Sequence, residues 1–365
     1  VFTPDQHLVK KITIVPPQTD ATTGSVDFRE KYANGQNYVG WQAPANIRSS
    51  FRLTLPDKLP RVSNSLLALS TTGIPSYIQA PATSMADTVW SQTITDNLTT
   101  PGTHTITLSP APLGVSAAIT DSQYRLTGAP GAAELVTPTG NGTCNGTIQD
   151  SCTLEVITAQ SHTTSVTLGT STAGLQESWN AGRSNVTCPD GIHMFYGTAK
   201  TGLLNATLTG TPYCTLAPAA SNMTVLWANS IYAITIRGIS FNSLGTATNV
   251  TYILVGSGSN STGSSVFANL RISASSGGYG IDARRGHELH VSDCLFHQTT
   301  TTGGGSAILV GSIVHGDLFA GWFTGNTIIG DWKYGIEDHG SGLIGYKNGF
   351  NGPKNHLGFQ NWLSV

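Results

Sequence analysis

Hydrophobic and polar residues in the last third of the chain, residues 226–350, recur as short apolar strands separated by turn residues. The pattern is clearest in ITIRGISF at 234–241, FANLRI at 267–272, LHVSDCLF at 289–296 and FTGNTII at 323–329. In each segment a Gly, Asn or Asp precedes a large apolar residue by three positions, which predicts a turn followed by a buried strand. These pairs are Gly238 with Phe241, Asn269 with Ile272, Asp293 with Phe296 and Asn326 with Ile329.

Four isoleucines between these segments follow one another at a nearly constant interval. Ile253, Ile281, Ile308 and Ile336 are spaced by 28, 27 and 28 residues. A fixed period in the twenties, built from short strands, is typical of a stacked solenoid. Coils stack about 4.8 Å apart, so we expect the isoleucines to form one inward-facing ladder. We also expect the turn asparagines to adopt a left-handed conformation.

One helix is predicted just before the repeats, from Ser171 to Gly182. Ser171 or Thr172 can cap its N-terminus, and Gly182 can end it. Leu175 and Trp179 share one face at i,i+4. The helix is placed to cover the open apolar end of the first coil, whose unpaired edge would otherwise favour aggregation.

Upstream of the helix, residues 85–170 follow a strand–turn–strand pattern with the spacing of a β-sandwich. The first 18 residues contain a separate strand, HLVKKITIVPP, in which Val9, Ile12 and Ile14 are apolar and two prolines end the strand. A single strand must pair. We expect it to join the sheet that follows or to add to a neighbouring subunit.

Residues 34–78 include YVGWQAP, LTLP and SLLALSTTGIPSY. They resemble a segment of phage tail-fibre and related bacterial surface-fibre proteins. That family pattern has Phe and Lys where this chain has Trp41 and Gln42. The resemblance implies an extended, often oligomeric fibre and no catalysis.

The phrase LTTPGTHTITLSPAPLGV at 98–115, the residues Gly131 to Glu134, and the helix GLQESWN at 174–180 are similar to pectate-lyase-like secreted proteins. With the repeats, they resemble a right-handed parallel β-helix of the pectate-lyase or tailspike type. We therefore predict an all-β chain, organised as an N-terminal strand at 1–18, a fibre-like β segment at 19–84, a small sandwich-like domain at 85–170, and a parallel β-helix at 171–365 with its capping helix at 171–182.

Composition agrees with β-structure and excludes some partners. Charged residues make up only 10% of the 365 residues, and there are 42 glycines. The net charge of −2 gives the chain no excess of positive charge with which to bind nucleic acid. No apolar run approaches the roughly 18 residues of a membrane span. Nothing in the sequence indicates a cofactor or a metal.

Five cysteines are present. Cys144 and Cys152 flank one short turn, and Cys188 and Cys214 flank a second loop, so two local disulfides are predicted and fit an oxidising compartment. Cys294 lies in a repeat strand and is expected to be a buried apolar residue. Fully reduced cysteines are the alternative.

Eight Asn-x-Thr sequons predict N-glycosylation of exposed turns. The asparagines are Asn97, Asn141, Asn145, Asn185, Asn205, Asn222, Asn249 and Asn260.

Two carboxylates form the best candidate catalytic pair. Asp282 follows Ile281 and Glu337 follows Ile336, so both should point outward two coils apart, about 10 Å along the axis. That separation lies near the upper limit for inverting glycoside hydrolysis. The alternative is solvated surface, since Leu309 stands between them and no run of Asp resembles a lyase calcium site.

Histidines and aromatic residues of the repeats are weaker candidates. His287 and His290 should face opposite sides of a strand, so with His297 they are expected to be ordinary strand residues and not metal ligands. Aromatic residues near the C-terminus could stack sugars, pack a subunit interface or fill the core. They are Trp322, Trp332, Tyr334, Tyr346 and Trp362.

The sequence thus favours a structural protein located outside the cell, on the cell surface or on a virion. In this interpretation the chain is a fibre or filament subunit whose main partner is another copy of itself. The alternative is a polysaccharide-binding or polysaccharide-degrading β-helix resembling a tailspike, with surface glycans as its ligands.

Overall fold

The structure is a computed structural model, and its described part comprises residues 84–203, 205–228, 233–256, 264–284, 288–300, 304–311, 320–339 and 342–351, with the main chain of further short strands at 25–79 and 355–364. The chain divides into two compact units, Val1–Ala80 and Pro81–Val365.

Within the first unit the structure describes two antiparallel strand pairs. Strand β1 (Ser25–Arg29) pairs with β2 (Tyr38–Gln42), and β3 (Ser65–Leu69) pairs with β4 (Pro75–Gln79). Val9, Ile12 and Ile14 lie outside the described residues, so the predicted N-terminal strand stays a prediction.

The second unit begins with two antiparallel sheets that share one apolar core. Their strands are β5 (Ser91–Thr93), β6 (Gly102–Leu108), β7 (Tyr124–Pro130), β8 (Glu134–Val136), β9 (Pro138–Gly142), β10 (Cys152–Thr158) and β11 (His162–Thr170). A three-stranded sheet has the order β6-β10-β9, and a four-stranded sheet has the order β5-β11-β7-β8. Alternate residues of β10 are buried, as a half-exposed strand requires. A 3-10 helix, Met85–Thr88, precedes the sheets.

The predicted helix is present but shorter than its sequence pattern suggests. Helix α1 spans Leu175–Asn180, not residues 171–182. It cannot begin earlier, because Ala173 (φ 51°) and Gly174 (φ 85°) both lie in the left-handed region. Thr172 still contributes, since its hydroxyl accepts a hydrogen bond from the Gln176 N–H at 3.1 Å.

The C-terminus of α1 follows the sequence prediction. Gly182 has φ 78°, its N–H donates to Trp179 O, and the Arg183 N–H donates to Ser178 O, which together form a Schellman motif. Leu175 and Trp179 are buried in the core of the following domain. The helix therefore caps that core, as predicted.

A right-handed parallel β-solenoid forms the rest of the described chain. Its strands stack into three parallel sheets, here named A, B and C, and each turn contributes one strand to each sheet in that order. Sheet A contains β12 (Asn185–Thr187), β15 (Ala206–Thr209), β18 (Ile234–Arg237), β21 (Ser265–Ala268), β24 (Glu288–Ser292), β27 (Ala320–Thr324), β30 (Gly342–Tyr346) and β33 (Trp362–Ser364). Sheet B contains β13 (Gly191–Phe195), β16 (Cys214–Pro218), β19 (Ser240–Asn242), β22 (Arg271–Ala274), β25 (Leu295–Gln298), β28 (Thr327–Gly330) and β31 (Gly349–Asn351). Sheet C contains β14 (Ala199–Thr201), β17 (Thr224–Ala228), β20 (Thr251–Val255), β23 (Tyr279–Ala283), β26 (Ser306–Val310), β29 (Tyr334–Asp338) and β32 (Asn355–Gly358).

The predicted isoleucine ladder is confirmed in sheet C. Ile253 pairs in register with Ile281, Ile281 with Ile308, and Ile308 with Ile336. All four side chains are fully buried. Leu226 extends the column by one turn, so a single aliphatic column runs through five consecutive turns.

The turn pattern is correct for three repeats and wrong for the fourth. Asn269 adopts the predicted left-handed conformation, and Gly238 and Asp293 adopt it at the same position of their repeats, but in the fourth repeat it is Gly325 (φ 66°) that does so. Asn326 is instead buried, where its side-chain oxygen accepts a hydrogen bond from the Cys294 N–H at 3.1 Å. The apolar partner shifts by one residue as well, so that Ile328, and not Ile329, pairs with Phe296.

The cysteines are arranged as predicted. Disulfides join Cys144 to Cys152 in the sandwich and Cys188 to Cys214 between the first two turns of the solenoid. Cys294 is a buried free thiol, and burial raises its pKa to about 12. Within the described residues no helix is long and apolar enough to cross a membrane.

A buried carboxyl group lies where α1 meets the sandwich. Glu177 is fully buried, and burial raises its pKa to about 8, an effect that polar groups of Trp90 and Thr172 only partly oppose. Tyr124 of the sandwich is buried nearby, and its pKa is raised by burial and by the Glu177 charge. The junction therefore favours a protonated, neutral Glu177.

We predict that Glu177→Gln removes a pH dependence of stability. Between about pH 4.5 and about pH 8 the folded chain keeps a proton on Glu177 that the unfolded chain has lost, so the free energy of unfolding falls over this window and is constant above it. Thermal unfolding from pH 4 to pH 9 should show this decline in the wild type and little of it in the variant. Glu288→Gln, at an exposed position, is the matched control, and an unchanged profile in Glu177→Gln would contradict the assignment.

Candidate functional site

Sheet C carries a column of residues next to the isoleucine ladder. Each follows a ladder isoleucine, and Leu254, Asp282, Leu309 and Glu337 pair with one another in register. Because successive side chains of a strand alternate in direction, this column lies on the outer face of the sheet. The two predicted carboxylates are therefore two turns apart in one column, as their sequence positions indicated.

A second row in the same strands contains Tyr279, Ser306 and Tyr334, also in register. A glycine-dependent turn positions its middle member. Gly305 has φ 77°, and a Cβ there would lie 1.6 Å from the carbonyl oxygen of Gly278. A side chain at Gly305 would thus displace Ser306 from this row.

Asp282 is held by an arginine of the same strand end. The guanidinium of Arg284 donates to both carboxylate oxygens, at 2.9 Å from Nε and 2.6 Å from a terminal nitrogen. This hydrogen bonding raises the pKa of Arg284 despite its partial burial. Asp282 is only 3% exposed, whereas the Arg284 side chain is half exposed. The Cζ atom of Arg284 lies 5.6 Å from the centre of the Tyr279 ring.

Glu337 is bound differently. One of its oxygens accepts a hydrogen bond from the buried hydroxyl of Ser306, and the other lies 2.9 Å from Nε2 of His339. Nearby, the ammonium group of Lys333 lies 5.0 Å from the centre of the Tyr334 ring. We name the set Tyr279, Asp282, Arg284, Ser306, Lys333, Tyr334, Glu337 and His339 the sheet C patch.

The surroundings of Asp282 disfavour a catalytic role for the predicted pair Asp282 and Glu337. The sequence left open a solvated Asp282, but the carboxylate is buried and both of its oxygens are engaged by Arg284. Leu309, which is 2% exposed, fills the column between the two acids. A general acid or base must reach the proton that it transfers, and here ion-paired and apolar groups surround Asp282. Catalysis by Asp282 and Glu337 stays a prediction.

The remaining candidates separate into core and surface residues. Trp332 is fully buried and fills the core. His290 is stacked on Trp322, with ring centroids 4.4 Å apart and planes inclined by 13°. The two stand one turn apart in sheet A. The side chains of Tyr346, Trp362 and His287 lie outside the described residues.

One group of possible metal ligands occurs elsewhere in the described part of the chain. Sγ of Cys188, Sγ of Cys214 and a ring nitrogen of His193 lie within 4.8 Å of one another. The two sulfurs form a disulfide, and His193 Nε2 lies 2.8 Å from the carbonyl oxygen of Pro189. Thiolates are the species that bind metals, so the oxidised pair does not provide that donor set.

Seven sequon asparagines fall within the described residues, and all seven are exposed. Asn205, Asn222 and Asn249 adopt positive φ angles of 52–58° at turns. The amide of Asn249 donates to the side-chain oxygen of Asn222 at 2.7 Å, which links sequons of consecutive turns. Asn260 lies outside the described residues, and glycosylation at all eight positions stays a prediction.

No protein-family model and no curated protein matches the chain. Among solved structures, the chain is similar to the catalytic unit of a thermostable GH87 alpha-1,3-glucanase from Streptomyces thermodiastaticus strain HF3-3, with 14% identity and a TM-score of 0.31. The similarity covers 73% of this chain and 61% of that one. Two further matches are catalytic domains of GH87 alpha-1,3-glucanase. One is a variant in complex with tetrasaccharides (12% identity, TM-score 0.22, covering 70% of this chain and 69% of that one), and the other is in complex with nigerose (11%, 0.21, 73% and 68%). Similarities at these TM-scores do not establish a shared activity.

We predict that Asp282→Asn lowers the thermal stability of the protein. The substitution leaves the guanidinium of Arg284 without its charged partner in a site where Asp282 is buried, and the expected cost is about 1–2 kcal/mol. Asp293→Asn is the matched control, because Asp293 is exposed and left-handed and Asn269 occupies the equivalent turn. Equal melting temperatures for the two variants would contradict the structural role of the ion pair.

Proposed function

We propose that this protein is a structural subunit of a fibre or filament at a cell or virion surface, assembled through repeated contacts between copies. The observation that supports this proposal is the unequal protection of the three strand edges at the N-terminal end of the solenoid. Two edges have partners within the described residues, and the third does not.

The partners of two edge strands are local. In sheet C, the side chain of Gln176 in α1 bonds the main chain of β14. Its oxygen accepts from the Lys200 N–H at 2.6 Å, and its amide donates to Lys200 O at 2.9 Å. In sheet A, Ser84 forms a parallel bridge with Thr187 of β12. Both contacts shield main-chain groups that would otherwise be available to another strand.

Strand β13 of sheet B is different. Gly191 donates to Tyr213 O at 3.0 Å, and Phe195 O accepts from the Ala219 N–H at 2.8 Å. Because main-chain groups of a parallel strand alternate between its two neighbours, Ile192 and Met194 direct theirs away from β16. No described residue bonds these groups, and we name them the open edge of β13.

Large apolar side chains are exposed at and near the open edge. Ile192 is 62% exposed, and Tyr213, next to its disulfide-bonded neighbour Cys214, is 77% exposed. An exposed strand edge with apolar flanks favours pairing with another chain. Two disulfides and exposed sequons are in accord with an oxidising, extracellular location.

We predict that the purified protein forms fibres visible by electron microscopy and that Ile192→Lys impairs their formation. A charge beside the open edge should oppose strand pairing without disturbing the core, since Ile192 is largely exposed. Ile157→Lys, on the sandwich at 60% exposure, is the matched control. If the wild type remained monodisperse single subunits at every concentration, the fibre proposal would be wrong.

The sheet C patch favours a second candidate function, the binding of surface glycans. Two tyrosines of the patch lie two turns apart, about 10 Å along the axis. Each has a cationic side chain close to its ring. Aromatic faces with adjacent charged hydrogen-bonding groups are suited to sugar rings and their hydroxyls. In this function Asp282 orients Arg284, whereas in the enzymatic version Asp282 and Glu337 would act as acid and base.

We predict that Tyr279→Ala with Tyr334→Ala reduces retention of the protein on a glycan array several-fold, because both ring surfaces are lost. Leu135→Ala, at an exposed apolar residue of the sandwich that belongs to neither proposed surface, is the control. A reducing-sugar assay on the retained glycan tests cleavage. Cleavage that persists in Asp282→Asn with Glu337→Gln would exclude this pair as the catalytic acids, and equal retention of all variants would exclude the patch as the glycan site.

A further inference from the structure

The main-chain hydrogen-bonding groups, the side chains and the charge at the open edge of β13 together restrict which strand can pair with it. We propose that it binds residues 10–15 of a second copy of this chain as an added parallel strand, with Ile12 opposite Ile192 and Ile14 opposite Met194. This inference rests on the proposed function as a self-assembling subunit. The donated segment, KKITIV, lies outside the described residues and enters by its sequence alone.

Hydrogen bonding supports the register. In a parallel pair with Ile12 opposite Ile192, the Ile192 N–H donates to Lys11 O and the Thr13 N–H donates to Ile192 O. One pair further along, the Met194 N–H donates to Thr13 O and the Val15 N–H donates to Met194 O. Every donor that this arrangement requires exists in the sequence.

The two prolines that follow the segment, Pro16 and Pro17, coincide with the end of the available edge. Residue 16, a proline without an N–H, falls opposite Tyr196, whose own N–H already donates to Ser171 O at 2.7 Å. A two-residue slip towards the C-terminus of the segment would place Pro17 where Met194 O needs a donor. The prolines therefore exclude that slip.

Side-chain chemistry excludes the other registers. Ile192 stands above Thr215, and Met194 stands above Ala217, on the outer face of sheet B. The proposed register places Ile12 and Ile14 on that face beside two apolar side chains. A one-residue slip in one direction would replace them with Lys11 and Thr13. The opposite one-residue slip would place Pro16, which has no N–H, where Met194 O needs a donor, and a two-residue slip in the remaining direction would place Lys10 beside Ile192.

Opposite charges meet where the donated segment and β13 begin. The proposed register brings Lys10 opposite Asp190, an exposed residue for which the described residues provide no cationic partner. The carboxylate of Asp190 accepts a hydrogen bond from the Thr211 hydroxyl, which fixes it near the beginning of β13. Lys11 falls opposite Gly191, where there is no side chain to obstruct it. An opposite charge at the rim of a contact favours one partner and one register.

Cysteine cross-linking between two full-length variants tests the contact directly. One variant carries Ile12→Cys and an affinity tag, and the other carries Ile192→Cys without a tag. After mixing under assembly conditions and mild oxidation, we expect a covalent pair of tagged and untagged chains. Ile12→Cys with Ile157→Cys is the control for random collision, and Thr13→Cys with Ile192→Cys is the control for register. Both should cross-link several-fold less.

Charge reversal provides an independent measurement. Asp190→Lys should raise the concentration required for assembly several-fold, and Lys10→Glu in the same chain should restore it towards the wild-type value. Wild-type fibres without the specific cross-link, or without rescue by Lys10→Glu, would overturn this inference and leave the fibre proposal standing. A wild type that never assembles would instead overturn the fibre proposal.

Discussion

Main-chain hydrogen bonding between successive turns is the constraint on which the solenoid depends. Each interior strand of sheets A, B and C is bonded to the strand of the turn before and the strand of the turn after, and the first and last described strands of each sheet have one such neighbour. This repetition stacks equivalent side chains into columns, of which the isoleucine ladder of sheet C is the clearest. Columns of identical apolar residues pack well at the strand spacing, so the pairing and the core stabilise each other.

At the N-terminal end of the stack, strands β12, β13 and β14 have no preceding turn to bond. Other parts of the chain must therefore supply hydrogen-bond partners for their main-chain groups. The side chain of Gln176 bonds the main chain of β14, and Ser84 bridges to β12. Helix α1 thus has two functions, since its apolar face covers the core and one of its polar side chains completes a sheet edge. Of the three strands at this end, β13 alone keeps an edge that no described residue bonds, and this open edge connects the fold to the proposed assembly.

The sheet C patch shows how neighbouring turns combine into a surface. Asp282 and Arg284 come from one turn, Ser306 from the next, and Glu337 and His339 from the one after. Their contacts engage both carboxylates in hydrogen bonds with neighbouring side chains, while the tyrosine rings remain partly exposed. Such a surface is better suited to holding a ligand than to transferring a proton, which is why glycan binding ranks above hydrolysis as the second candidate function.

The sequence by itself determined the all-β class, the isoleucine ladder, both disulfides and a capping helix that Gly182 terminates, because periodic spacing and local turn residues encode these features. Tertiary structure decided the details that depend on competition between neighbours. Gly325 and Asn326 could each have formed the fourth turn, and hydrogen bonds of the Asn326 side chain with the Cys294 N–H and with Val291 O hold Asn326 in the interior. Likewise, the capping of β14 by Gln176 joins residues 24 apart in sequence. No local pattern carries that contact, since it exists only once the helix lies against the first turn.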